Sequence, residues 1–139
     1  MDASLAPYHR HHQELLRLAQ RYEARLDPAL VRNHPELCLA GVQRLVALAK
    51  AHLAMETTIL FPALQSGPDA DILASARKLE AGLGTLKNQL GQYGHHWTSA
   101  ETIRRAPEAF IEASKDLLQS LRYRIEIEVK GLFPLVERA

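Results

Sequence analysis

Two copies of one short pattern hold the residues of this chain best suited to chemistry. The first runs His52-Leu-Ala-Met-Glu56-Thr-Thr-Ile-Leu60-Phe61-Pro62, the second Arg124-Ile-Glu-Ile-Glu128-Val-Lys-Gly-Leu132-Phe133-Pro134. Each places a nitrogen-bearing side chain four residues before a Glu, and that Glu four residues before a Leu-Phe-Pro stop. Residues four apart share one face of a helix. The first copy therefore presents a His beside a carboxylate, a pair that can ligate a metal. The second presents Arg124, which stays protonated and does not ordinarily ligate one. The contrast between His52 and Arg124 is the centre of any functional reading.

The elements that must position these residues are read from apolar spacing. A first helix is expected to start near Asp2 or Ser4, with Pro7 tolerated in its first turn, and to end near Asp27-Pro28. Its inward stripe is Tyr8, His12, Leu15, Ala19, Tyr22 and Leu26, at the three-and-four spacing of a helix face. A second helix opens around His34-Pro35-Glu36 and runs to about Leu64, with a stripe through Cys38, Val42, Leu45, Ala49, His52, Glu56, Ile59 and Ala63. Pro62 marks its last turn or a kink. A third starts between Pro68 and Asp71, with Ile72, Ala76, Leu79 or Glu80, Leu83, Leu86 and Leu90 inward. Gly82, Gly84 and Gly91 weaken it, each by about 1 kcal/mol against Ala, or else permit close packing. The segment from Gly91 to Arg105, with His95, His96 and Trp97, reads as a loop. A fourth helix runs from Pro107 toward Val136 with Phe110, Ser114, Leu117, Leu121, Arg124, Glu128, Leu132 and Leu135 inward. The expected architecture is an all-α, up-down-up-down antiparallel four-helix bundle filling one domain over residues 1–139. The second and fourth helices correspond at an offset of 72, the first and third more weakly at 68, which sets His12 opposite Glu80.

His12, His52, Glu56, Arg124 and Glu128 all lie on apolar faces, and Glu80 lies beside one. Buried carboxylates without compensation cost several kcal/mol each, so a cation must sit among them. On these residues the chain resembles the hemerythrin-like, or HHE cation-binding, family, in which the first and third helices each give a His and the second and fourth each give His-x-x-x-Glu before Leu-Phe-Pro. The resemblance covers nearly the whole chain. It implies that His12 and His52 bind one metal, with Glu56 and Glu128 as further carboxylate ligands. It also implies that Glu80 and Arg124 stand where two further His ligands would be, which leaves the second half of a two-metal centre without its neutral nitrogen donors.

A charge count fits a single ion. Glu56, Glu80 and Glu128 carry −3 when ionised, Arg124 adds +1, and one divalent ion would bring the sum to zero, as a buried site requires. In this reading the Arg124 guanidinium fills the second-metal region and holds Glu128, with Glu80 or Glu56. The expected cofactor is one iron ion, favoured by the resemblance, with zinc chemically suitable too. A role in metal, oxygen or redox sensing, or in storage, would follow, with a metal ion or small diatomic as ligand. The alternative is a metal-free helical interaction or regulatory module, in which Arg124 supplies the charge and the polar core fixes helix register. An oxidoreductase is a third, weaker reading.

Composition narrows the field. The chain has 139 residues and a formal net charge of +1, which gives no nucleic-acid footprint. No uncharged apolar run suggests a membrane span, and no secretory signal is visible, so a cytoplasmic location is the default expectation. The lone Cys38 rules out an internal disulfide and a Cys-based zinc motif; it reads as a small buried residue. His9 and His11 point away from His12 on a helix and read as a solvated start, although a register slip of one would put His11 inward. His95 and His96 read as exposed, and Tyr8, Tyr22 and Met55 as core. The Glu-x-x-His pair of ferritin-type centres and the zinc-protease motif are both missing from the sequence.

Overall fold

The computed structural model describes residues 5–139, which are helical with no strand among them. The first helix, α1, spans Ala6–Glu23 with Pro7 in its first turn; the expected start at Asp2 or Ser4 lies outside the described residues. All six residues of its expected stripe are buried, His12 included.

A short helix absent from the sequence reading, α2 (Pro28–Asn33), follows. Its signal was local: Asp27 accepts the backbone N–H groups of Ala29 and Leu30, and Pro28 occupies the first turn, where no N–H is needed. Next comes α3 (Pro35–Met55), then a π-helical turn (Glu56–Leu60), then α4 (Phe61–Gln65), as one continuous stretch.

The π turn corrects the expected second stripe. Ile59 is 59% exposed and Ala63 is also exposed, whereas Leu60, Phe61 and Leu64 are buried. A π turn accommodates one extra residue, and one residue is about 100° of helix rotation. The inward face therefore passes from Glu56 to Leu60 and Leu64 instead of Ile59 and Ala63. Pro62 supplies a reason for the wide turn, because in a regular helix its ring would crowd the carbonyl of Thr58. The second Leu-Phe-Pro meets the same constraint differently: the helix before it stops at Gly131, and a new one begins at Phe133.

The third stretch is bent rather than straight. Helix α5 (Ala70–Ala81) ends at Gly82, and α6 (Leu83–His96) continues from it. The expected loop from Gly91 is thus helical as far as His96. Leu86, Leu90, Tyr93 and Trp97 keep the three-and-four spacing and are all buried, and that burial outweighs the cost of the glycines. His95 and His96 are exposed. Ser99 caps α7 (Ala100–Arg105) by accepting from the Thr102 N–H. Helix α8 (Pro107–Gly131) and α9 (Phe133–Arg138) complete the chain.

Helices α1, α3, α6 and α8 close a ring in which each packs against two others. Along α1, His12 meets His52 while Tyr22 meets Gly41, so residue numbers rise on one helix as they fall on the other. The half of the bundle remote from the doubled motif is pinned by buried hydroxyls. Tyr93 Oη lies 2.5 Å from Tyr22 Oη and 2.6 Å from Ser114 Oγ. Cys38 is buried there, and burial raises its thiol pKa. The Pro35–Gln65 stretch is by length and composition apolar enough to cross a membrane, although Glu36, Arg44, Lys50 and Glu56 interrupt it; in the bundle its inward face carries His52 and Glu56.

Candidate metal centre in the bundle core

Three helices and the π turn each bring part of the doubled motif, or its partners, to one level. The start of α1 supplies His12, the end of α3 His52, the π turn Glu56, and the last turns of α8 Arg124 and Glu128. All five side chains are buried, Glu56 and Glu128 completely. Potential donor atoms of His12, His52, Glu56 and Glu128 lie within 4.8 Å of one another.

Glu128 is the hub. Its Oε1 is 2.8 Å from His12 Nε2 and 3.8 Å from His52 Nε2, and its Oε2 accepts from Arg124 Nε at 2.7 Å. Glu56 is the opposite case. Its Oε2 lies 3.1 Å from His52 Nε2 and its Oε1 lies 3.8 Å from Arg124 Nη2, yet neither oxygen has a hydrogen-bond partner. His52 Nε2, His12 Nδ1 and Arg124 Nη2 are likewise buried without one.

Arg124 holds its place by three contacts. Nε bonds Glu128, Nη1 donates to the Leu79 carbonyl at 2.6 Å, and the guanidinium lies 5.8 Å from the centre of the Phe61 ring. Leu79 lies in the last turn of α5, where carbonyls lose their helical partners. The Leu79 carbonyl also accepts the Gly82 N–H at 3.2 Å, and its second lone pair takes the guanidinium, a cation of the kind a helix C-terminus suits. A side chain at 82 would also point its Cβ toward Arg124 Nη1, 3.7 Å away.

Glu80 does not join this group. It is half-buried and accepts from Gln65 Nε2 at 2.9 Å. The residue of the third stretch that reaches Arg124 is Leu79, through its main chain. The expected charge count changes accordingly: Glu56, Glu128 and Arg124 sum to −1 with both carboxylates ionised. One proton on His52 balances them, and one divalent ion would take the sum to +1.

The electrostatics follow from burial and neighbours. Burial pushes the Glu56 carboxyl up to about 8 against the pull of His52. Burial also opposes the charge of His52, but Glu128 and Glu56 outweigh it and raise the imidazole to about 9. Burial works against the Glu128 charge too; His12, His52 and Arg124 prevail and hold that carboxyl well below the usual carboxylate range. At neutral pH the metal-free core therefore retains protons on the His52–Glu56 pair.

The two Leu-Phe-Pro segments wall the site. Phe133 stacks on His12, with ring centres 5.2 Å apart and planes 7° from parallel, and Phe61 lies beneath Arg124. Tyr8 meets His52 edge-on, and burial raises its phenol pKa. Sequence reasoning did not assign these packing roles, although the repetition of Phe one residue after each Leu was their signal.

Two further histidines lie at the edge of the site. His9 is half-buried, packs edge-on against Phe133 and pairs with Glu137 at 2.9 Å. His11 is half-buried, and its Nδ1 lies 3.3 Å from His52 Nδ1. Of the two, His12 is the one that faces the carboxylates, as its place on the apolar stripe implies, whereas His11, 100° further round the helix, reaches only the outer nitrogen of His52.

The donor set of His12, His52, Glu56 and Glu128 could hold a metal ion. Histidine nitrogens and carboxylate oxygens are donors to metals such as zinc, and the unpartnered buried atoms of His52 and Glu56 are of this kind. The family model described as the hemerythrin HHE cation binding domain matches residues 5–136. No curated protein and no solved structure matches the chain.

Proposed function

Since the chain belongs to the hemerythrin HHE cation-binding domain family, we propose that it binds one metal ion through His12, His52, Glu56 and Glu128, with Arg124 standing in for the second. The observation that carries this reading is Glu56: a fully buried carboxylate, neither oxygen hydrogen-bonded, beside an equally unpartnered His52 nitrogen. Buried polar atoms are nearly always satisfied, and a cation here would satisfy all three atoms at once.

Iron is the preferred ion on family grounds. Two His and two carboxylates also suit zinc. Bound iron would supply redox chemistry and room for a small diatomic ligand. The chain's own residues would orient the donors, neutralise Glu128 and wall the site with apolar rings. Sensing or storage of metal or oxygen is the role this supports.

A metal-free regulatory module has its own supporting observation. Arg124 already pairs with Glu128, and His12 completes that carboxylate. That arrangement leaves Glu56 unsatisfied, which is why metal binding is preferred. Elemental analysis of protein purified without a His tag separates the two. One equivalent of metal is expected, lost in His52→Ala and retained in Glu80→Gln. Metal-free wild-type protein that takes up no iron or zinc on reconstitution would contradict the proposal.

A further inference from the structure

His52 is the one imidazole of the cluster with a second imidazole against its remaining nitrogen. Its Nε2 faces Glu56 Oε2 at 3.1 Å and Glu128 Oε1 at 3.8 Å, inside the core. Its Nδ1, on the opposite side of the ring, lies 3.3 Å from Nδ1 of His11, with ring centres 5.4 Å apart and planes at 75°. His11 is half-buried on α1, which packs against α3.

We propose that His11 is a positioning residue: its Nδ1 accepts the Nδ1–H of His52 and thereby commits His52 Nε2 to the carboxylate-lined core. The chemistry of imidazole requires such a partner. A neutral ring carries one proton, so a lone pair offered from Nε2 to an ion leaves that proton on Nδ1, and a ring protonated at both nitrogens carries one there as well. A buried N–H without an acceptor costs the full desolvation of the group. His11 removes that cost for one tautomer and fixes the ring plane. Outer hydrogen bonds of this kind orient ligating histidines and raise their basicity. The consequence for metal affinity rests on the proposed function above; the hydrogen bond itself does not.

The test compares His11→Leu with His11→Asn. Leu fills similar space without an acceptor. Asn Oδ1 lies the same number of bonds from the backbone as His Nδ1 and can take its place. The first readout is the His52 Nδ1–H proton in metal-free, 15N-labelled protein. It is expected to exchange slowly in wild type and His11→Asn, and rapidly in His11→Leu. The second readout is zinc(II) affinity by competition with a chelator. A loss of about 10- to 100-fold is expected for Leu, with Asn recovering most of it. The inference is overturned if Leu keeps both the protected proton and wild-type affinity, or if Asn and Leu lose both equally, which would mark a steric role. If the wild-type chain takes up no zinc, the metal-binding reading fails, and the exchange measurement alone decides the role of His11.

Discussion

Arg124 replaces a potential metal ligand with a fixed charge, and its surroundings show what that requires. It needs Glu128 for its charge, a main-chain acceptor for Nη1 and an aromatic face beneath it, and the core provides all three. Arg124→Met is expected to destabilise the metal-free protein by about 3–5 kcal/mol, because it strands buried carboxylates rather than merely removing a contact. Urea unfolding in the presence of chelator checks this, and a loss below about 1 kcal/mol would contradict the role. At this scale His12, His52, Glu56, Arg124 and Glu128 were all legible in the sequence, since each is a polar residue on an apolar stripe. Glu80 was misassigned because Leu79 and Glu80 are adjacent, and spacing alone does not fix register to one residue. The Leu79 carbonyl was invisible, because a main-chain acceptor has no residue type to announce it.

Whole elements were legible where apolar spacing was unbroken, as in α1, α3 and α8. The π turn was not, because its cause is a proline whose effect falls several residues earlier. The third stretch runs on past Gly91, where glycine propensity suggests a loop, because the buried stripe continues through Tyr93 to Trp97. Gly41 shows the opposite use of glycine. A Cβ there would come within 2.7 Å of the Tyr22 ring. That ring is fixed by its hydroxyl contact with Tyr93 and by edge-on packing against Phe110. Helix propensity favours Gly41→Ala by about 1 kcal/mol, whereas overpacking costs about 1–3. A lower thermal midpoint is expected, and a raised one would show that the ring can withdraw.

For the molecule as a whole, the site makes stability depend on both pH and metal. A raised histidine pKa stabilises the fold below its unfolded value of 6.5, and that contribution is lost as pH rises through about 9. The raised Glu56 carboxyl acts in the same direction, its contribution being lost as pH rises from 4.5 through about 8. Glu128 opposes them only under acid conditions, since its pKa is depressed. Metal-free protein is therefore expected to be less stable at pH 9 than at pH 7, by more than about 1 kcal/mol. A flat urea-unfolding profile over that interval would contradict the assignment. Metal binding should flatten the profile, because the ion displaces the protons responsible.

The most direct test of the one-ion centre is native mass spectrometry of the untagged chain reconstituted with iron(II) under anaerobic conditions. The mass of one ion per chain is expected, absent in His52→Ala. Two ions per chain would show that Arg124 gives way to a second metal, and no uptake would show that the core is closed by protons and Arg124 alone.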